Sequence, residues 1–279
     1  MQQLHLDPNF ESTFLGQEPL FDQIMGINGD PLRALEGRRT LRFFQNGKCY
    51  YIKQHFGIGW KEIFKNLFHL KWPVLGAETE WKAIFAFQRL GLPTFKVVGY
   101  GKRGINPAKR QSFLITEELT GVVSLEDYCA PWKMNRPSFQ LKKCLIQEIS
   151  RIARLIHQHG INHRDFYLCH FLLKENSLCG GSSSVPVLYL IDLHRVQMRE
   201  KVPYRWQVKD LAGLYFSSMD AGLTQRDVFR FLKYYFMMPL REVLLNEKNL
   251  LAKVTIKAVF LYYKTFKHYP FGYDLTRQV

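Results

Sequence analysis

The sequence predicts an α+β, bilobal protein with a small N-terminal β-rich lobe at residues 1–118 and a larger C-terminal helical lobe at residues 119–279. Short β-rich runs separated by turn signals dominate up to Thr116, and longer segments with apolar residues at helical spacing dominate from Leu125 onward. The length of 279 residues suits two lobes, and an apolar content of 47% excludes a disordered chain.

An antiparallel sheet with a helix packed on it is predicted for the first lobe. The runs Arg39–Phe44 and Cys49–Lys53 are rich in β-formers and flank Asn46-Gly47, a strong hairpin signal. The other elements predicted here are helices and strands, in the order Trp60–Leu70, Glu78–Leu90, Phe95–Tyr100 and Ser112–Thr116.

Helices are predicted for most of the second lobe. The longest, Leu141–His159, has apolar residues at helical spacing and ends at Gly160. Two short apolar strands, Phe171–Leu173 and Val185–Ile191, flank a Gly/Ser-rich linker at Lys174–Ser184. The remaining predicted helices are Leu125–Tyr128, Gln207–Met219, Gln225–Met237, Leu240–Leu244 and Leu250–Lys264.

Positive charge is concentrated in one part of the chain. The net charge is +15, and residues 33–110 contain 16 basic and 4 acidic residues, a local excess of 16 − 4 = +12. Such a block attracts anionic lipid surfaces, phosphorylated glycans or acidic proteins, although it is also compatible with a merely solvated basic surface. We expect no nucleic-acid partner, because no helix-turn-helix, RNA-recognition or zinc-finger spacing accompanies the charge.

Cysteine usage and hydropathy favour a cytosolic protein. The five cysteines are odd in number and form no C-x-x-C pair, so neither a disulfide framework nor a zinc site is expected. No apolar run approaches the ~20 residues that a spanning helix needs. The first 30 residues contain no Lys or Arg, which argues against a signal peptide.

Four polar residues occur in an order that suits phosphoryl transfer. Lys53 ends a predicted strand, where it can reach a phosphate, and Glu80 in the next long helix can hold that lysine. Asp165 follows the longest helix in a polar turn, where it can accept a hydroxyl proton, and Asp192 ends an apolar strand, where it can ligate Mg²⁺. Each residue alone is more often an ordinary surface or turn residue, but their joint order on a β-then-α layout favours a kinase using ATP and Mg²⁺.

Further residues fit the same chemistry. Glu117 and Leu119 follow a strand at the lobe junction, where backbone groups can bind adenine. His163 and Arg164 precede Asp165 and are catalytic candidates with it. Asp210 either ties down the backbone of the catalytic loop or is an acid favoured by the dipole at a helix start, and the sequence leaves both interpretations open.

Three departures from protein kinases indicate a different acceptor. No G-x-G-x-x-G precedes the hairpin. Asp192 is followed by Leu193-His194-Arg195 rather than Phe-Gly, and no A-P-E segment comes after it. His170 stands five residues after Asp165, where protein kinases have a metal-binding Asn, so it is a candidate metal ligand or a group that orients a phosphate. These departures favour the hydroxyl of a small molecule or glycan over that of a peptide.

The run Asn162–Leu173 (NHRDFYLCHFLL) is far more specific than His-Arg-Asp alone. Similarly specific segments are Leu35–Phe43, Pro73–Ala77, Ile115–Leu119, Ser124–Cys129, Ile191–Arg195 and Lys209–Ser218. Together these segments closely resemble the lipopolysaccharide core heptose(I) kinases of Gram-negative bacteria, from about residue 7 to about residue 245. His170 and the Asp-Leu-His-Arg run match that family's own pattern.

The resemblance implies a protein-kinase-like fold and phosphorylation of O4 of the first inner-core heptose with ATP and Mg²⁺. It implies that Asp165 is the catalytic base, Lys53 the phosphate lysine and Asp192 the metal ligand, with Glu80 or Glu78 as the partner of the lysine. The implied partners are the lipopolysaccharide core acceptor, the inner-membrane surface and acyl carrier protein, and the implied location is the inner face of the inner membrane, held peripherally. A Kdo kinase or another kinase of the superfamily is the alternative, as is a pseudokinase scaffold.

The segment Gly57–Trp72 is a candidate docking helix. Its apolar residues at helical spacing are Trp60, Ile63, Phe64, Leu67 and Phe68. Lys61 and Lys65 lie off that face, a pattern typical of helices that bind anionic lipid, although the same stripe can pack on the sheet.

Overall fold

A computed structural model describes residues 2–12, 14, 18–35, 37–68, 76–178 and 185–270. The chain forms two compact units. The first unit comprises Met1–Arg89, Thr94–Thr120 and Leu193–Arg195, and the second comprises Leu90–Pro93, Gly121–Asp192 and Val196–Val279. In the described residues, no helix is both long enough and apolar enough to cross a membrane.

The first unit is built on an antiparallel sheet of six strands among the described residues, in the order β1-β5-β6-β4-β3-β2. The strands are β1 (Gln2–Leu6), β2 (Asp30–Leu35), β3 (Arg38–Gln45), β4 (Lys48–His55), β5 (Val97–Arg103) and β6 (Gln111–Glu117). Its helices are α1 (Pro8–Glu11), α2 (Leu20–Met25), α3 (Gly59–Phe68) and α4 (Glu78–Arg89).

The predicted hairpin is confirmed, and one strand is longer than predicted. Asn46 and Gly47 have φ values of 50° and 75° between β3 and β4, as a two-residue turn of this kind requires. The prediction that Lys53 ends its strand is wrong, because β4 continues to His55. The polar Gln54 conceals this continuation: it is fully buried, and its amide donates to the carbonyl oxygens of Ile24 and Met25.

The core of the first unit combines the sheet with α2. Phe21 and Ile24 of α2 are buried beside Phe113 and Ile115 of β6, and the rings of Phe21 and Phe113 lie 5.5 Å apart, edge to face. The sequence analysis missed β1, β2 and α2. The strand β1 pairs with β5 at the sheet edge, although its sequence QQLHL has little β pattern.

Both predicted helices of the first unit are present. In α4, Trp81, Ile84 and Phe87 are buried at helical spacing, as is Glu80. The helix α3 ends at Phe68, and the predicted extension to Leu70 lies outside the described residues. Residues 73–75 of the Pro73–Ala77 segment, Lys71 and Trp72 also lie outside them.

The second unit is mainly helical. Its helices are α5 (Leu125–Cys129), α6 (Phe139–Gln158), α7 (Tyr204–Ser218), α8 (Gln225–Phe236), α9 (Leu240–Asn246) and α10 (Lys248–Phe266). Its short strands are β7 (Val122–Ser124), β8 (Ile161–Asn162), β9 (Phe171–Lys174), β10 (Leu188–Leu190) and β11 (Gln197–Met198). Of the predicted linker, Lys174 belongs to β9, Glu175–Leu178 forms a 3-10 turn, and residues 179–184 lie outside the described residues.

The helix α6 leads into the catalytic-loop candidate. It starts two residues earlier than predicted, because the Ser138 side chain caps it by accepting from the Leu141 N–H. Its buried stripe includes Leu145, Ile152 and Ile156. Gly160 follows with φ 71°, and a Cβ there would lie 1.7 Å from the carbonyl oxygen of Arg199, so only glycine fits at this turn.

Candidate active site

Lys53 and Glu80 form a close ion pair in the first unit. The Lys53 Nζ lies 2.6 Å from the Glu80 Oε1, and Glu80 is only 2% exposed. Glu78, the alternative partner, instead pairs with Lys82 and Lys102 at 2.8 and 2.7 Å. Because Glu80 occupies a buried position of α4, its carboxylate holds the Lys53 ammonium in one place beside the sheet.

The sheet surface around Lys53 is rich in basic groups. Strand register places Arg38 opposite His55, Thr40 opposite Lys53, and Arg42 opposite Tyr51. Opposed residues of an antiparallel pair point to the same face of the sheet. This face therefore contains two arginines and the lysine within two adjacent strands, beside His55, whose pKa burial lowers to about 4.

The segment Glu117–Leu119 is anchored by its middle residue. The Glu118 carboxylate accepts from both Arg42 Nε and Nη2 at 2.9 Å and from the Tyr51 hydroxyl at 2.6 Å. Hydrogen bonds from Arg42 and then Tyr51 lower the pKa of Glu118 to about 2. The Glu117 N–H donates to the carbonyl oxygen of Lys96, and its carboxylate pairs with Lys96 at 2.7 Å.

The loop around Asp165 in the second unit is tied down by Asp210. The buried Asp210 carboxylate accepts from the backbone N–H of His163 at 2.6 Å and of Arg164 at 2.7 Å. The expectation that Asp210 fixes this backbone is confirmed. The helix-dipole interpretation is wrong, because α7 begins at Tyr204 and Asp210 lies well inside it. The two bonds also stabilise the left-handed backbone of Arg164, whose φ is 75°.

His163 is a fully buried neutral imidazole. Its Nε2–H donates to the carbonyl oxygen of Ile191 at 2.9 Å. Burial lowers the pKa of His163, against a smaller opposing effect of Asp210, so the ring is uncharged at neutral pH. The side chain thereby links the Asp165 loop to the residue that precedes Asp192.

His170 bridges Asp165 and Asp192. Its Nδ1–H donates to the backbone carbonyl of Asp165 at 2.6 Å, and its Nε2 lies 3.6 Å from the Asp192 Oδ2. Burial lowers the pKa of His170, but hydrogen bonds with Cys169 and the Asp165 carbonyl, together with the Asp192 charge, raise it to about 9 overall. The raised pKa favours the charged imidazole, which attracts the Asp192 carboxylate. The expectation that His170 is a metal ligand stays a prediction.

Asp192 has the chemistry that a magnesium ion prefers. Its carboxylate offers hard oxygens, is 34% exposed, and stands on a backbone with φ 61°. In the part of the chain that the structure describes, no cluster of three or more His, Cys, Asp or Glu side chains is placed to hold a metal. Magnesium in phosphoryl-transfer sites is typically bound by one or two protein carboxylates plus substrate phosphates, and Asp192 fits that role.

The sequence analysis missed a basic cluster beside Asp165. The Lys209 Nζ lies 4.0 Å from the Asp165 Oδ1 and 5.5 Å from the centre of the Trp206 ring. The guanidinium groups of Arg164 and Arg205 lie 4.9 and 5.2 Å from the same ring. One sequence signal for this cluster was available: Lys209 directly precedes Asp210 in the segment Lys209–Ser218.

Comparisons with known proteins agree with this geometry. The model of the lipopolysaccharide kinase (Kdo/WaaP) family matches residues 22–235. The lipopolysaccharide core heptose(I) kinase WaaP of Escherichia coli (strain K12) is 51% identical over 238 residues, which cover 85% of this chain and 89% of that protein. The protein of the same name from Pseudomonas aeruginosa is 46% identical over 259 residues, covering 93% and 96%.

A solved structure extends the likeness to the fold. The structure titled "WaaP in complex with acyl carrier protein" is 41% identical, has a TM-score of 0.78, and is matched over 93% of this chain and 99% of that chain. The mixed helix-and-sheet fold is therefore that of a kinase family, and the expected phosphotransferase activity with ATP is confirmed at that level. The match over residues 22–235, together with these identities, shows that the chain belongs to the lipopolysaccharide kinase (Kdo/WaaP) family.

Proposed function

We propose that the chain transfers the γ-phosphoryl group of ATP to O4 of the first heptose of the lipopolysaccharide inner core. The observation that carries this proposal is the Asp165 loop, fastened by Asp210, in a chain 46–51% identical to proteins named heptose(I) kinase. A Kdo kinase is the second candidate, because the family model covers both kinds of enzyme.

The nucleotide groups belong to the first lobe, residues 1–118, of a bilobal protein-kinase-like fold, together with Leu119, the first residue of the second lobe. Lys53 binds phosphate oxygens, and Glu80 holds its ammonium in position. The Glu117 carbonyl oxygen and the Leu119 backbone contact the adenine. The Glu117 N–H does not, because it already donates to the carbonyl oxygen of Lys96. The position of this segment is fixed by Glu118 through its bonds to β3 and β4.

The chemical step belongs to the second lobe, residues 119–279. The heptose hydroxyl oxygen forms a bond to the γ-phosphorus, its proton passes to the Asp165 carboxylate, and the bond from the γ-phosphorus to the β–γ bridging oxygen breaks to release ADP. Asp192 would hold Mg²⁺, which neutralises phosphate charge when bound. His170 positions Asp192, while His163 and Arg164 position the loop that carries Asp165.

Mass spectrometry of core oligosaccharide tests the assignment. Cells lacking the gene should lose one phosphate from the first heptose, and a plasmid carrying the wild-type gene should restore it. Unchanged phosphorylation of that heptose would contradict the proposal, and a phosphate lost from Kdo instead would favour the second candidate.

Acyl carrier protein is a proposed partner of this chain. The solved relative was captured with that protein, as its title states. The basic block at residues 33–110, with its excess of +12, supplies the complementary charge for an acidic protein.

The helix α3 supports peripheral docking at the cytoplasmic face of the inner membrane. Ile63 is buried, but Trp60 is 50%, Phe64 62% and Phe68 89% exposed. Burial on the protein therefore covers only part of the apolar stripe. Lys61 and Lys65 are also exposed, and a basic helix with exposed aromatic residues suits an anionic lipid surface.

Charge reversal on α3 should weaken this docking. We expect Lys61→Glu/Lys65→Glu to reduce co-sedimentation with anionic liposomes, since each basic residue near the surface contributes about 1 kcal/mol. The control is Arg226→Glu/Lys233→Glu, which makes the same change in net charge at exposed positions of α8. Equal pelleting of both variants and wild type at about 0.15 M salt, where charges are screened over ~8 Å, would exclude α3 from the docking surface.

A further inference from the structure

We propose that Arg164, Arg205 and Lys209, arranged around Trp206, form a subsite for an acidic group of the acceptor glycan next to its reacting hydroxyl. This inference rests on the proposed function, since it names what the Asp165 site recognises beyond the hydroxyl itself. The chemical class of ligand is a saccharide with a carboxylate or phosphate a few ångströms from the phosphorylated position.

The cluster gathers three positive groups around one ring. The guanidinium carbons of Arg164 and Arg205 and the Nζ of Lys209 lie 4.9, 5.2 and 5.5 Å from the Trp206 centroid. Each cation is attracted to the indole face, so one ring gathers three positive charges, and Lys209 among them faces the Asp165 carboxylate. A concentration of positive charge of this kind attracts an anion.

The position of the cluster on α7 adds to the positive potential. Arg205 lies in the first turn of the helix, and that turn contains no acidic residue. The helix dipole is positive at this end and disfavours a cation there. Helix stability therefore does not favour Arg205 at this position, whereas recognition of an anion does.

The cluster adjoins the candidate base. The Lys209 Nζ lies 4.0 Å from the Asp165 Oδ1, and Arg164 is the residue directly before Asp165. The Arg164 backbone is fixed by Asp210, so the cluster and the carboxylate share one rigid support. A glycan whose hydroxyl reaches Asp165 consequently presents its neighbouring substituents to these three cations.

Kinetics of Arg205 variants test the subsite. Arg205 is exposed, so Arg205→Ala should fold normally. We expect the KM for the acceptor to rise about tenfold, because a charge-assisted contact is lost, while the KM for ATP stays within twofold. Arg205→Lys should restore most of the affinity, and Arg226→Ala on α8 is the matched control.

Modified acceptors identify the group that is bound. Carboxyl-reduced core glycan should raise the KM of wild type if a carboxylate is recognised, and phosphatase-treated glycan should do so if a phosphate is. Neither treatment should raise the acceptor KM of Arg205→Ala as much as it raises the acceptor KM of wild type. The subsite is overturned if both treated acceptors behave like native acceptor, or if Arg205→Ala raises the KM for ATP instead.

Binding without catalysis separates this inference from the proposed function. Calorimetric titration of wild type and Arg205→Ala with native and treated core glycan, in the absence of ATP, reports the subsite whether or not phosphate is transferred. Tighter binding of native glycan by wild type, lost in Arg205→Ala, supports the subsite even if O4 of heptose proves not to be the acceptor. Equal affinities for both proteins would contradict it.

Discussion

Replacing Asp165 with asparagine should lower kcat by about 10²–10⁴-fold, because an amide cannot accept the proton of the attacking hydroxyl. The fold should survive the change. Asparagine has the shape of aspartate, and the hydrogen bond from His170 goes to the backbone carbonyl of residue 165, which the substitution keeps. Steady-state kinetics with ATP and core acceptor measure the loss, and circular dichroism and thermal melting check folding.

Asp30→Asn is the control for this substitution. It makes the same chemical change at an exposed carboxylate of β2 and should leave kcat unaltered. If folded Asp165→Asn protein retained more than about a tenth of the wild-type kcat, the assignment of Asp165 as the base would be wrong.

Replacing Asp192 with alanine should cost at least about 10²-fold in kcat/KM, since a metal contact to the phosphates is worth several kcal/mol. The requirement for Mg²⁺ should shift to higher concentrations at the same time. Titration of activity with Mg²⁺ at fixed ATP measures both effects. If the curves of variant and wild type coincided after scaling, Asp192 would not be the ligand.

The left-handed backbone at residue 192 makes a second variant necessary, because alanine changes both the side chain and the backbone strain. Residue 192 has φ 61°, where alanine is strained but asparagine is comparatively tolerated. Asp192→Asn should therefore keep the local backbone while it removes the charge. Loss of Mg²⁺ affinity in both variants identifies the carboxylate, whereas loss in the alanine variant alone would point to backbone strain.

Local signals account for the parts of the fold that the sequence predicted. The hairpin follows from Asn46-Gly47, whose two positive φ values few other dipeptides adopt. The helix α6 follows from an apolar stripe with Ser138 as its cap, and α4 from the same periodicity. The ion pair of Lys53 and Glu80 was expected from their order in the chain, since a strand followed by a packed helix brings the two side chains together.

Long-range contacts explain what the sequence concealed. The end of β4 was misplaced because the polar Gln54 is buried, with its amide bonded to a carbonyl oxygen of α2. The start of α7 was misplaced because Pro203, which directly precedes the first helical residue, was not recognised as a sign of a helix start. The basic cluster joins Arg164 to residues about 40 positions later, which no local pattern reveals. The neutrality of His163 likewise depends on its burial, a property of the folded protein alone.

The left-handed backbones at Arg164 and Asp192 create a conflict between thermal stability and catalytic activity. A side chain in this conformation costs on the order of 1 kcal/mol that glycine would not incur. A laboratory screen that rewarded only heat resistance or yield would therefore drift toward glycine at both positions. Such clones would melt at higher temperatures, yet they would have discarded a guanidinium of the basic cluster and the carboxylate proposed to hold magnesium. Improvement of this enzyme as a reagent should consequently select on phosphate transfer in every round and leave these two positions unchanged.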